Sequence, residues 1–165
     1  GGAGRARGAS GLHAAPVAPR LGAFSHAGGG FSIGAVPLTP WPVPKTGMIQ
    51  GDRDQIEQVI SNLLLNAVDA LQRSETKVIS LGSEDLGDSI KVFIADSGEG
   101  IKKENFGKLF TPFFTTKEAG RGTGLGLAIA YGIMKMHKGD INFVTEEGKG
   151  TEFFIRLPKK QFLNI

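Results

Sequence analysis

The sequence predicts an α/β fold of the α+β two-layer sandwich kind, with a mixed sheet covered on one face by helices. Three observations predict it. An amphipathic helix opens at Asp52 and runs to about Arg73, two pairs of β-rich runs are each joined by turn-forming residues, and a second apolar helix springs from a glycine-rich loop between the two pairs. Helices that are apolar on one side, interleaved with short strands, bury their surface most simply by packing together against one sheet.

The 165 residues allow one domain of ordinary size. Composition divides them. Residues 1–50 hold 11 of the 25 glycines and 6 of the 8 prolines, with Arg5, Arg7, Arg20 and Lys45 and no acidic residue. From residue 51 onward, 15 Lys and Arg face 16 Asp and Glu, so the formal charge of +3 belongs to the arm. Residues 1–46 show neither helical nor strand periodicity and are expected to be a disordered Gly/Ala/Pro-rich arm or linker, followed by a domain over 47–160 and a tail over 161–165. Four scattered basic residues are thin support for nucleic-acid binding, and none is expected. Cysteine is absent, which excludes disulfides and thiolate chemistry. No apolar run approaches the roughly 20 residues of a membrane span, so a soluble chain without membrane contact of its own is expected.

The first helix begins with Asp52 as cap and Gln55 as its reciprocal partner. Ile56, Val59, Ile60, Leu63, Ala67, Val68 and Leu71 form its apolar face. Beside them runs a polar stripe, Gln55, Gln58, Asn62, Asn66 and Asp69, in which Asn62 and Asn66 lie one turn apart. Asparagine is a mediocre helix former and its amide is costly to bury alone. The stripe fits either a semi-exposed edge or an edge whose amides meet a metal or phosphate.

Runs 77–83 and 90–96 follow as strands across the turn LGDS. In the second, Ile90, Val92 and Ile94 share one face and Lys91, Phe93 and Ala95 the other. It ends at Asp96-Ser97-Gly98-Glu99-Gly100-Ile101, where the carboxylate serves either a turn or a ligand entering over the sheet. A short helical piece after Lys102 leads to Phe110, Phe113 and Phe114 around Pro112, which anchor a loop or root a mobile flap.

Glycine then takes every second position from Gly120 to Gly126. Such a loop, opening a helix, is suited to an anion because the first helical N–H groups lack intrahelical partners. Neither a Walker loop nor the dinucleotide fingerprint is present, since no Gly-Lys-Ser/Thr follows and the third glycine comes one position early. The helix from Gly124 to His137 presents Leu125, Ile129, Ile133 and Met136 as its core stripe. His137 is read as structural, near the helix end, whereas His13 and His26 fall in the arm. Runs 141–144 and 151–157 close as a hairpin across EEGKG, with Phe153, Ile155 and Leu157 inward.

Taken together, DRDQIEQVISNLLLNAVDAL, DSGEGI, KLFTPFFTTK, GRGTGLGLAIA and GKGTEFFIRLP resemble, in order and spacing, the boxes of the catalytic ATP-binding domain (GHKL, HATPase) of bacterial sensor histidine kinases, over residues 48–158. The PFFTTK form is most similar to kinases of the nitrogen-regulation type. The resemblance implies a Bergerat-type ATP-binding fold with ATP and Mg2+. It places Asn66, and Asn62 with it, at the triphosphate and the metal, and Asp96 on the adenine amino group. Gly98 and Gly100 would let the base approach, Ile101 would pack on it and Thr151 would hold a water. Lys117 and Arg121 would reach the outer phosphates, and Gly122, Thr123, Gly124, Leu125 and Gly126 would offer backbone N–H groups. Catalytic roles thus fall to Asn62, Asn66, Lys117 and Arg121.

In related ATPases a glutamate one turn before the metal-binding asparagine activates water. Here Asn62 stands in that place, and an amide is no general base, which favours a kinase over a hydrolase. Asp69 stands where many sensor kinases carry a phosphate-contacting lysine, so no phosphate role is expected of it. His13, His26 and His137 all lack the sequence context of a phosphoacceptor. The resemblance therefore implies a cytoplasmic catalytic domain whose partners are a dimerisation and histidine-phosphotransfer domain and a response-regulator receiver. The alternatives are a free-standing ATPase of the superfamily and a noncatalytic nucleotide-binding interaction module.

Overall fold

The computed structural model describes residues 49–118 and 120–159, together with two short strands nearer the N-terminus. In chain order the elements are β1 (Phe31–Ile33), β2 (Val36–Pro40), α1 (Arg53–Ala70), β3 (Ile79–Asp85), β4 (Ser89–Asp96), a 3-10 helix over Lys103–Lys108, α2 (Gly126–Met136), β5 (Asp140–Glu146) and β6 (Gly150–Pro158). The sheet order is β1-β2-β3-β4-β6-β5. The four strands β3 to β6 are antiparallel, and β2 joins β3 in parallel with Leu38 opposite Ile79, so the sheet is mixed.

Strands β1 and β2 lie within residues 1–46, the stretch expected to be an arm or linker. An outer strand such as β3 presents a row of unpaired N–H and C=O groups, and a segment can join it through its backbone without an alternating apolar pattern of its own. The rest of the arm and the tail beyond residue 159 lie outside the described residues.

Helix α1 starts as its sequence predicts. The Asp52 carboxylate accepts from the Gln55 N–H at 3.1 Å. The reciprocal partner differs from the expected one, because the Asp52 N–H donates to His137 Nε2 at 3.0 Å. The other ring nitrogen of His137 lies 2.8 Å from the Ile133 carbonyl and donates to it, which makes Nε2 the acceptor. Buried His137 therefore ties the end of α2 to the start of α1. The two helices run antiparallel, since Asn62 in mid-α1 donates from its amide nitrogen to the carbonyl of Gly126, the first residue of α2, at 3.1 Å.

One core fills the space between helices and sheet. It comprises Val59, Leu63, Ala67 and Leu71 from the α1 side, Ala130, Ile133 and Met134 from α2, and Ile79, Ile94, Ile141, Phe143, Phe153, Ile155 and Leu157 from the sheet. The α1 face is the predicted one. The α2 face is not, for Ile129 is partly exposed and Met136 is 65% exposed, while Ala130 and Met134 are buried. Nearly every residue of AIAYGIM is apolar, so hydrophobic periodicity carries little phase information there. On the opposite face of the sheet, Lys91 is also buried, 3.2 Å from Glu152 and 3.7 Å from Glu84. Its ammonium lies 4.6 Å from the centre of the Phe154 ring.

Candidate functional site

The β4–β6 ladder sets Asp96 opposite Thr151. Neither local hairpin creates that pairing; it joins the two hairpins into one sheet. Asp96 ends β4 with 3% of its surface exposed, and its Oδ1 accepts from the Gly98 N–H at 2.8 Å. Burial pushes its carboxyl up to about 6, against the opposing pull of backbone hydrogen bonds from Gly98 and Thr151. Thr151 Oγ1 lies 2.9 Å from the hydroxyl of Thr145 on β5, and the Ile101 N–H donates to the same Thr145 oxygen at 3.0 Å. Asp96, Thr151 and Ile101 thus share one corner at the end of the sheet.

Gly98 and Gly100 sit at this corner for a reason the sequence did not reveal. A Cβ on Gly98 would come 2.6 Å from the Ala70 carbonyl and 2.7 Å from the Asp96 carboxylate. Gly100, at φ +72°, would meet the Glu146 carbonyl at 2.3 Å. These contacts press the loop against the end of α1 and the β5–β6 turn, so chain packing already requires glycine at both positions.

A separate cavity of about 360 Å³ lies between the end of α1 and the residues around Lys117, with Glu99 on its wall and none of Asp96, Ile101 or Thr151 lining it. Asp69, Arg73, Glu99, Lys117, Glu118 and Arg121 are among the residues lining it. Lys117 forms an ion pair with Asp69 on α1, and Arg73 Nη2, in the turn after α1, lies 3.1 Å from Glu118 Oε1, so two pairs of opposite sense hold the segment there. At its far end Phe113 donates its N–H to the Gly124 carbonyl at 2.8 Å. Phe113 adopts φ 66° with its side chain 74% exposed, a left-handed conformation uncommon for a bulky residue. Of the aromatic trio, Phe110 and Phe114 pack against the core and Phe113 does not.

Asn66 is partly buried, and its amide nitrogen is fully enclosed with no hydrogen-bond partner in the structure. An enclosed polar atom left unpaired costs about 1–3 kcal/mol, and Ser80 Oγ, Ser83 Oγ and Asp140 Oδ1 are in the same state. Asn62 is differently placed, with its amide nitrogen committed to Gly126. Helix α2 has no side-chain cap, and within the loop before it the Leu125 N–H donates to Thr123 Oγ1 at 3.3 Å. Among the described residues there is no group of three or more His, Cys, Asp or Glu able to hold a metal ion. A Mg2+ ion that keeps its waters and phosphate oxygens needs only one or two protein oxygens, a demand the amides of Asn62 and Asn66 fit.

Of the predicted residues, six gather in two places, apart from Asn62, Asn66 and the loop 122–126. Asp96, Gly98, Ile101 and Thr151 meet at the sheet end, while Lys117 and Arg121 face the cavity beside α1. Thr145 lies one residue past the strand expected over 141–144 and inside β5. Continuing the hairpin symmetrically around EEGKG would have paired it with Thr151, as the structure does.

A helix-covered sheet with a buried carboxylate at a strand end, two asparagines on the adjoining helix and a glycine loop beyond defines an ATPase-type nucleotide domain. Residues 51–161 match the family described as histidine kinase-, DNA gyrase B- and HSP90-like ATPases, and the chain belongs to that family. Its relatives point to one branch. It is 43% identical over 110 residues to the sensor histidine kinase ZraS of Escherichia coli K12, a match covering 67% of this chain and 23% of that protein. It is 39% identical over 112 residues to sporulation kinase A of Bacillus subtilis, covering 68% of this chain and 18% of that protein. Among solved structures, the nucleotide-free catalytic domain of histidine kinase ThkA aligns with a TM-score of 0.58 at 38% identity, covering 67% of this chain and 70% of that one. Full-length ShkA in complex with AMPPNP aligns at 0.60 with 25% identity, covering 73% of this chain and 25% of that one. The chain spans about a quarter of the length of ZraS, and its fold is that of a histidine-kinase catalytic domain.

Proposed function

We propose that this chain is the ATP-binding catalytic domain of a two-component sensor histidine kinase, which donates the γ-phosphoryl group of ATP to a histidine in a separate dimerisation domain. The observation that carries the kinase reading is Asn62. It stands where a water-activating carboxylate is needed for hydrolysis, and its amide nitrogen is tied to the Gly126 carbonyl. An amide does not take up a proton, so water is not activated from this position and the phosphoryl group is kept for another acceptor.

Asp96 then receives the adenine amino group, with Ile101 against the base and Thr151 beside it. Asn66, with Asn62, would hold Mg2+ through amide oxygens, and the ion would supply positive charge to the triphosphate. Lys117 and Arg121 turn to the outer phosphates, and Lys117 leaves Asp69 to do so. Phosphoryl transfer is mostly positioning and charge stabilisation, for which amides, cations and backbone N–H groups suffice. The acceptor histidine and, after it, a response-regulator receiver are the partners of this reading, and the cytosol is its place.

Incubation with γ-labelled ATP, with and without a separately supplied dimerisation and acceptor domain, tests it. Acid-labile label on the added histidine is the expected result. Free phosphate as the sole product would overturn it in favour of an ATPase, and tight binding without turnover in favour of a nucleotide-sensing module.

A further inference from the structure

Thr145 lies on β5, outside every motif of the nucleotide site, yet its buried hydroxyl has three partners. It accepts from the Ile101 N–H at 3.0 Å, lies 3.0 Å from the Gly150 carbonyl oxygen and lies 2.9 Å from Thr151 Oγ1. A hydroxyl has one hydrogen and two lone pairs. The Gly150 carbonyl only accepts, so the hydrogen of Thr145 goes there. Ile101 fills one lone pair, and the other can be met only if Thr151 donates. With its hydrogen so committed, the Thr151 oxygen has only lone pairs left for anything bound beside it. Across the ladder from Thr151 stands Asp96, which accepts only when ionised.

We propose that Thr145 is a positioning residue which, by taking the Thr151 hydrogen, fixes Thr151 as an acceptor next to Asp96 and so sets the site for a 6-amino purine over a 6-oxo purine. The inference rests on the ATP reading of the site. A 6-amino group brings two hydrogens to a corner that offers only acceptors. A 6-oxo group brings lone pairs to the same corner and finds no donor on Asp96 or Thr151, and leaving such groups unpaired is the effective means of rejecting an analogue. Were the Thr151 hydroxyl free to rotate, its hydrogen would meet the 6-oxo oxygen and discrimination would fall.

Equilibrium titration of the full chain with ATP and with inosine 5′-triphosphate, which carries a 6-oxo group and a hydrogen on N1, tests this. Wild type and Thr145→Ser, which keeps the hydroxyl, should share one ATP preference. Thr145→Val should lower the ratio of the two affinities by about three- to tenfold, the worth of one hydrogen bond. Thr151→Val should lower it to a similar extent, and adding Thr145→Val to Thr151→Val should lower it no further.

A ratio unchanged in Thr145→Val, with both affinities falling together, would make Thr145 merely structural and overturn the inference. So would an undiminished ratio in Thr151→Val, a result that holds even if the Thr145→Val chain does not fold. Wild-type chain without saturable ATP binding would instead defeat the ATP reading itself, which separates the two failures.

Discussion

Asp96 is the residue whose chemistry the fold changes most. Its carboxyl is raised from 3.8 to about 6 by burial, so between those values the folded chain holds a proton that the unfolded chain has lost. Stability therefore falls as pH rises through this window, and the loss of about 3 kcal/mol is complete above it. Asp96→Asn removes the buried charge. It should raise the melting temperature of the ligand-free chain at pH 7.5, with the increment vanishing near pH 3.5, and it should weaken ATP binding. Differential scanning calorimetry at the two pH values checks the first part, and an increment that persists at low pH would contradict it. In wild type, the ionised carboxylate is the better acceptor, so ATP affinity should rise through about pH 6 and level off above.

His137 is the structural counterpart. It supplies an acceptor to Asp52 and a donor to Ile133 from a buried position. His137→Ala should destabilise the chain by about 2–3 kcal/mol, from lost hydrogen bonds and an unfilled space. Chemical denaturation measures it, and a change below about 0.5 kcal/mol would show that the tie between the helices contributes little. Sequence reading reached the Asp52 cap because it is local, three residues from Gln55. It missed His137 as the second partner, 85 residues away, because no local pattern encodes a contact at that separation.

At the scale of elements, helix α1 was legible in both its cap and its apolar face, since polar and apolar residues alternate cleanly along it. Helix α2 was legible as a helix but not in its orientation, because it is apolar nearly all round. The segment 111–125 was legible as a candidate flap. What holds it was not, since the Lys117–Asp69 and Arg73–Glu118 pairs join distant parts of the chain. Pairs of this exposure contribute only fractions of a kcal/mol each, so the segment is latched lightly. Glu118→Arg should speed amide hydrogen exchange in 111–125 of the ligand-free chain by about two- to fivefold, and Arg73→Glu should do the same. The double exchange of charges should restore protection. Exchange as fast in the double variant as in the singles would show that the pair does not hold the segment.

At the scale of the whole molecule, both hairpins were readable from turn residues and alternation, and the sheet face packed on helices followed from Ile90, Val92 and Ile94. The junction between hairpins was not readable. Pairing β4 with β6 places Ser89 opposite Pro158 and Asp96 opposite Thr151, a register settled by packing between segments more than fifty residues apart. That register sets Asp96 opposite Thr151, while the end of α1, one turn beyond Asn66, packs its Ala70 carbonyl against Gly98. Each motif was visible in the sequence, and only the fold sets the sheet end against the end of α1.

The proposed ATP site turns on Asn66 and a divalent cation. Calorimetric titration of ATP into the wild-type chain and into Asn66→Ala, each with Mg2+ and with a chelator, tests it most directly. One saturable site is expected in wild type, weakened at least about tenfold by the chelator. No measurable binding is expected in Asn66→Ala, although that variant melts within a few degrees of wild type because the amide nitrogen it loses has no hydrogen-bond partner. Unchanged affinity in folded Asn66→Ala, or binding indifferent to Mg2+, would contradict it.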